Sequence, residues 1–416
     1  MKIPKLFSGF LACFLYFSLA YAYQSEIGIT LRKEQKPATI KVLIHSDSSG
    51  FLFEARGRFQ VIDPANGVKL SSGRKGKRFY LYPHEEGIKW GENFLGIFQL
   101  HIVPNDAHST LLVNGMQYRG IIEVYHVEGK LNVINEISVE DFLKCTLPHN
   151  FPFVYPPSVM DAVAIIARTD AYYKALFSQD SFWHVDAKKI GYEGMGLIHQ
   201  NLTIERAIDD TRHLVMTFED QPFPATWTEH CGGKTAPYQT IFRESMPTPQ
   251  GVDSAFATKE REDTHWAFDM NTQDLAKVAK VNRITGIDLF VDHFSNKVYA
   301  LRIHDGAHIE NMDFLTLQKY IGKHKLKSND FKTTIKGNIA SFEGYGIGTG
   351  VGLCLYSAAQ MADCGNDMPH ILAAFFPHTH IEKMRTYPES IISTNRGLFF
   401  LPKHKKTAKK KRPVLH

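Results

Sequence analysis

The stretch "CTLPHNFPFVYPPSVMDAVAIIARTDAYYKAL", Cys145 to Leu176, puts a histidine, an amide and an arginine close together. His149 and Asn150 stand in a proline-rich, aromatic turn, and Arg168 stands inside an apolar helix. An imidazole titrates near neutral pH and can pass a proton. An amide can hydrogen-bond a ligand but cannot act as an acid. A guanidinium among apolar residues needs a partner, because an unpaired buried charge is costly. Asp161, seven residues earlier, shares its helix face. A buried ion pair and a direct substrate contact are the two roles open to Arg168.

Three further stretches carry residues of chemical interest. "GYEGMG" holds Tyr192 and Glu193, and "FPATWTEHCGGKTAPY" holds Trp227, Glu229, His230, Gly232 and Gly233. In "SFEGYGIGTGVGLCLYSAAQMADCG" glycines fall at 344, 346, 348, 350 and 352, around Thr349. That run lacks GK[ST] and does not fit GxGxxG, so it does not read as a nucleotide site. Its glycines let a backbone pass close to a neighbour or a ligand.

The elements that must position these residues are α+β in order. From Gln24 to about Val103, "ATIKVLI", "GFLFEA", "RFQVID", "KRFYLYP" and "LGIFQLHIV" are short, β-branched or aromatic, and divided by turn residues. "LLVNGMQYRGIIEVYHVEGKLNVINEI" continues the pattern, with a hairpin expected around Gly129. Helices begin at Ser138, a cap with Asp141 three residues on. A second helix follows Pro156-Pro157, because proline suits a first helical turn. It is apolar on nearly every side from Val159 to Leu176, hence buried. A short helix is expected near Ile204 to Thr211, and strands around "HLVMTFEDQPFPATWTEHCGGKT".

Composition limits the class. The chain has 416 residues and 44% apolar content, enough for a sizeable core. "MKIPKLFSGFLACFLYFSLAYAYQ" pairs Lys2 and Lys5 with an apolar run and Ala20-Tyr21-Ala22, the pattern of a secretory signal cleaved after Ala22. The expected location is the periplasm or cell envelope. Past that signal four cysteines remain, Cys145, Cys231, Cys354 and Cys364, with three pairings open and no CxxC pair. The net charge is +5, yet the tail "KHKKTAKKKRPVLH" holds seven Lys or Arg and no acid. The body is therefore net acidic, and the tail is the part suited to an anionic envelope polymer or lipid. No nucleic-acid partner is expected of an exported chain.

Together the motifs resemble the SpoIID family (sporulation stage II protein D and related LytB proteins). The pattern YRG-L-E-V, V-N-L-EDYL, PSEMP-WP and A-x-AART is similar to Tyr118-Arg119-Gly120, Asn135 to Leu143, Pro148 to Pro156 and Ala164 to Thr169. "FPATWTEHCGGKTAPY" resembles A-Y-x-S-x-GG-x-T, and the glycine-rich block with its helix resembles GHGVGMSQYGA. The likeness covers about Lys41 to Thr386. It implies a sporulation-like or cell-division role on peptidoglycan. The implied activity is that of a lytic transglycosylase, which cuts between N-acetylmuramic acid and N-acetylglucosamine and leaves a 1,6-anhydro end. Such chemistry needs one carboxyl group that gives a proton and then takes one, not a second carboxylate to activate water.

The family's glutamate falls on Asn150, and the histidine of GHGVG falls on Thr349. The catalytic candidates are then Asn150 as the family position, Glu229 as substitute acid, and His149 beside the lost carboxylate. Arg168, Thr169, Tyr192, Glu193, Trp227, His230, Gly232, Gly233 and Thr349 form the expected substrate-binding set, with Arg168 and Thr169 bracing the cleft. Some members carry zinc on one His and two Cys; only His184 stands in the corresponding loop, so no metal or other cofactor is expected. One alternative is an inactive scaffold that holds glycan strands for an amidase or a cell-division partner. Another is a structural envelope module that binds acidic partners through its tail. The expected divisions are a signal at 1–22, a β-rich portion at 23–105, a SpoIID-like core at 106–390 and a basic tail at 391–416.

Overall fold

The computed structural model describes residues 37–387, apart from 107, 152–154, 179–181 and 196–200. The expected signal and basic tail lie outside the described residues. The architecture is α+β, with strands dominating the first hundred described residues.

Two sheets face each other there. The larger runs Val185–Asp186, Thr39–Asp47, Lys130–Ser138, Ile121–Val127, Gln99–Pro104, Phe59–Ile62 and Lys69–Gly73. The smaller runs Met116–Tyr118, Thr110–Val113, Phe51–Arg56, Lys77–His84, Gly87–Trp90 and Glu92–Leu95. Strand side chains alternate between faces, and Phe51–Arg56 accordingly buries Phe51, Phe53 and Ala55. Trp90 of the smaller sheet meets Phe53 at 5.0 Å and, across the interface, Phe59 of the larger at 5.4 Å. The larger sheet pairs Gln99–Pro104 with Ile121–Val127 and so runs across position 105/106.

The expected hairpin forms where Val127 pairs with Lys130. Glu128 and Gly129 both have positive φ, as a two-residue hairpin turn of this kind requires. The second strand feeds the helix Val139–Asn150. Ser138 caps it, its Oγ accepting the Asp141 N–H at 3.1 Å and donating to Asp141 Oδ2 at 2.7 Å. The long helix Pro157–Phe177 starts with Pro157 in its first turn and buries a dozen residues. It packs on Leu202–Asp210, Leu214–Thr217 and Met368–Phe375, so it is the spine of the main core.

Residues 266–342 build a second core of their own. Trp266–Asn271, Ile339–Tyr345 and Asp330–Lys336 make one three-stranded sheet, and Gly286–Val291, Val298–His304 and Ile309–Asp313 make another. Trp266, Leu275, Phe314, Leu317 and Phe342 fill the space between them and two helices. The chain then returns to the main core. Leu353–Cys354 pairs in parallel with Trp227–Thr228, and His380–Lys383 pairs with Leu214–Thr217.

Candidate active site

The glycine-rich block lies directly against Thr226–Gly233. Gly348, Gly350 and Gly352 all have positive φ. A Cβ on Gly348 would lie 2.4 Å from Thr228 Oγ1, and one on Gly352 would lie 2.0 Å from the Thr226 carbonyl. Close backbone approach is thus what these glycines permit. His230 and Ile347 exchange both backbone hydrogen bonds, at 3.0 and 2.8 Å. Thr228 Oγ1 donates to the Ile347 carbonyl at 2.9 Å and accepts the Gly350 N–H at 3.2 Å.

Beside this seam is a cavity of about 330 Å³ lined by Tyr155, Glu229, His230, Glu260, Asp263 and Tyr356, among others. His230 is 5% exposed, with its ring 4.8 Å from that of Tyr356. Its Nδ1 accepts the Gly232 N–H at 3.1 Å. That leaves the imidazole proton on Nε2, which is buried without a hydrogen-bond partner among the described residues. Burial, then the charges of Lys297 and Arg261, depress the His230 pKa and favour the neutral ring. The Glu260 carboxyl is held above its usual range by the hydrogen bond to Asp263 and by that group's charge. Burial, then the charge of Glu229, pushes the Tyr155 hydroxyl up. Glu229 itself is exposed.

A second cavity, about 380 Å³, is lined by His149, Asn150, Asp170, Lys174 and Trp227 among others. Phe151 stands between the two: its ring is 5.2 Å from Trp227 and 6.1 Å from Tyr155. Asn150 ends its helix, exposed, with Nδ2 donating to the Thr146 carbonyl at 3.0 Å. His149 is exposed beside Gly191.

Beneath the Cys231–Gly233 turn is a buried charge cluster. Lys297, 1% exposed, donates from Nζ to the Cys231 carbonyl at 2.5 Å and to Asp330 Oδ2 at 2.9 Å. Arg261 donates to both Asp330 oxygens, at 2.6 and 3.1 Å, and to the Gly232 carbonyl. Gly232 has φ +68°, and a Cβ there would come 2.9 Å from Asp330 Oδ2, so the turn favours glycine. Burial lowers the Lys297 pKa, and Asp330 opposes it. The second core thereby anchors the turn that carries His230.

Three expected substrate contacts are corrected by this geometry. Arg168 is fully enclosed. It grips Glu140 through Nε at 3.0 Å and Nη2 at 2.8 Å, caps the Ile208 and Leu214 carbonyls at 3.1 and 3.2 Å, and donates its fifth N–H to Thr211 Oγ1 at 3.4 Å. Its partner is Glu140 on the preceding helix, not Asp161, and no donor is left for a ligand. Thr169 is equally enclosed, donating to Ile165 and accepting from Met216 N–H. Tyr192 is 4% exposed, its hydroxyl donating to Asn135 Oδ1 at 2.6 Å. Gly232 and Gly233 are buried and shape the turn. Glu193 is exposed near Tyr118 and lines neither cavity. Thr349 is half-buried within the glycine-rich block. Sequence reasoning missed Tyr155, Glu260, Asp263 and Tyr356. "KEREDT" holds three acids, Glu260, Glu262 and Asp263, but nothing local tells that the first and last line one cavity with Glu229.

Residues 127–218, from the hairpin through Leu214–Thr217, match the profile of SpoIID, described as stage II sporulation protein. A Chlamydia pneumoniae protein described as uncharacterized is 33% identical over 208 residues, 49% of this chain and 76% of that protein. This chain belongs to the SpoIID family. The SpoIID match supports a SpoIID-like, cell-wall-related role. An uncharacterized Chlamydia muridarum protein is 36% identical over 179 residues, 42% of this chain and 62% of that relative's length. An uncharacterized Brachyspira hyodysenteriae protein is 24% identical over 361 residues, 86% of this chain and 93% of its own. The SpoIID match contains Asn150 and Arg168, whereas Glu229, His230 and Glu260 lie beyond it.

Proposed function

We propose that this chain is exported, binds peptidoglycan glycan strands across the two cavities flanking Phe151, and acts there as a lytic transglycosylase. One observation supports this most: Glu229, Glu260 and Asp263 converge with an unpartnered, buried His230 Nε2–H on a single cavity. Glu229 is the group assigned to proton transfer. It donates to the glycosidic oxygen as the bond to muramic C1 breaks. The resulting carboxylate takes the proton of the muramic 6-hydroxyl, whose oxygen bonds C1 and closes the anhydro ring. No water is consumed. Glu260, held above the usual carboxylate range by Asp263, lines the same cavity. His230 Nε2–H and the tyrosine hydroxyls supply hydrogen bonds to sugar oxygens, and Trp227, half-buried and backed by the enclosed Phe151 ring, supplies an aromatic platform. Asn150, in the family's acid position, binds rather than reacts.

The test is product analysis. Purified protein incubated with peptide-stripped glycan strands gives anhydro-muramic ends by mass spectrometry. Glu229→Gln lowers their rate by roughly 10²–10⁴-fold, and Asn150→Ala leaves the rate within a few fold. Unchanged turnover in Glu229→Gln removes that residue from the reaction. A second reading, glycan binding without cleavage, is favoured by one observation: the Asn150 amide at the family's acid position is turned back onto its own helix at Thr146. Retention on murein sacculi with no anhydro ends selects this reading, in which the strand is presented to an amidase or a cell-division protein. Binding that vanishes when Lys403–His416 is deleted selects an envelope module acting through its tail.

A further inference from the structure

Cys231 and Cys354 are 123 positions apart, yet the Cys231 N–H donates to Cys354 Sγ at 3.3 Å. Both are enclosed, at 1% and 0% exposure. They meet where Thr228 pairs with Cys354, in strands of two residues each. The other two described cysteines are elsewhere. Cys145 contacts Tyr192 in the main core. Cys364 lies at the far end of the nine-residue helix Leu355–Asp363, about 14 Å along its axis from Cys354, twice the reach of a disulfide.

We propose that Cys231 and Cys354 are a disulfide-forming pair, joined by exchange with a small or protein disulfide, which ties the His230 turn to the start of the helix carrying Tyr356. The local chemistry orders the exchange. Burial raises the Cys354 thiol, but the Cys231 thiol and the N–H groups of Ser357 and Cys231 outweigh it and bring it down to about 6. Cys231 is held protonated by its hydrogen bond to Cys354 and by burial. Cys354 thiolate attacks one sulfur of the oxidant and expels the first thiolate. Its charge is then gone, so Cys231 loses its proton, attacks the Cys354 sulfur and expels the second. Two cysteine thiols become one disulfide, and the oxidant takes up two electrons and two protons as two thiols. Because both sulfurs are enclosed, the exchange occurs as these strands pair during folding.

The experiment uses the full chain refolded in a reduced and oxidised glutathione buffer, then denatured with an alkylating reagent and digested without reductant. The expected result is one cross-linked species containing the Cys231 and Cys354 peptides, lighter than their sum by two hydrogens and separated by reduction. In Cys231→Ser and Cys354→Ser the remaining partner becomes alkylatable. Reduction of the wild type lowers its thermal midpoint by about 5 °C or more. Full alkylation of both peptides after oxidative refolding overturns the proposal, and so does a cross-link to Cys145 or Cys364. The wild-type peptide map decides the matter even if the serine variants do not fold. It involves no glycan, so it stands or falls separately from the proposed activity.

Discussion

Arg168 and His230 are both buried polar residues inside recognisable motifs, and the structure treats them in opposite ways. Arg168 has every direction of its guanidinium engaged, by Glu140 and by carbonyls at helix and strand ends. His230 lines a cavity and has one nitrogen held by Gly232 N–H and the other without a partner among the described residues. A saturated buried charge is framework, while a buried donor without a partner, on a residue that lines a cavity, has bonding capacity unused. Motif membership alone did not separate the two; the count of satisfied groups did.

The contrast can be broken most directly at Arg168. Replacing it with Met strands the Glu140 carboxylate in the core, and chemical denaturation should show a loss of about 3–5 kcal/mol. The double variant Arg168→Met with Glu140→Leu should recover part of that. A loss under about 1 kcal/mol in the single variant would mean that the pair is not framework.

A third buried polar group, far from the site, sharpens the comparison through pH. Glu123 is enclosed with Lys41 Nζ at 2.8 Å, Tyr125 hydroxyl at 2.9 Å and His101 at 3.6 Å, and it hydrogen-bonds Glu136. Burial raises its pKa to about 7. His101 and His184, desolvated and facing Lys41, fall to about 4. The raised carboxyl contributes stability that is complete below the ordinary carboxylate value and lost as pH rises through 7. The two depressed imidazoles contribute stability that is complete above 6.5 and lost as pH falls through 4. Two imidazoles outweigh one carboxyl. Unfolding free energy should therefore drop by on the order of 3 kcal/mol between pH 7 and pH 4. In Glu123→Gln the opposing contribution is gone, and the drop should steepen. A pH-independent unfolding midpoint over this range would contradict the assignment.

The smallest effect tests the anchoring of the His230 turn. Lys297→Met leaves the Cys231 carbonyl unpaired while Arg261 still holds Asp330, so the cost should be about 1–3 kcal/mol. It also removes a positive charge that depresses the His230 pKa. An NMR titration of the imidazole should then find that pKa higher than in the wild type. An unmoved value would separate the cluster beneath the turn from the histidine above it.

Much of the scaffold was legible because its signals are local. The hairpin at Gly129, the Ser138 cap and the helix after Pro156 each depend on residues within a few positions of one another. The need of Arg168 for a partner was also legible, since charge among apolar residues demands one. Its identity was not: Glu140 is 28 residues away on another helix. The candidate acid Glu229 could be singled out, but not its neighbours Glu260 and Asp263, which reach the cavity only through the packing of a separate segment. Tyr192 read as part of the substrate-binding set because aromatic side chains look alike in sequence whether they face a core or a cleft.

By itself the sequence determined the α+β order of elements and carried the resemblance to SpoIID, because periodicity, capping and motif chemistry act over short spans. Only the tertiary structure decided which polar groups are spent and which remain open, and which of three cysteine pairings is adjacent. Those outcomes depend on contacts between residues up to 123 positions apart, whose distances no local pattern encodes.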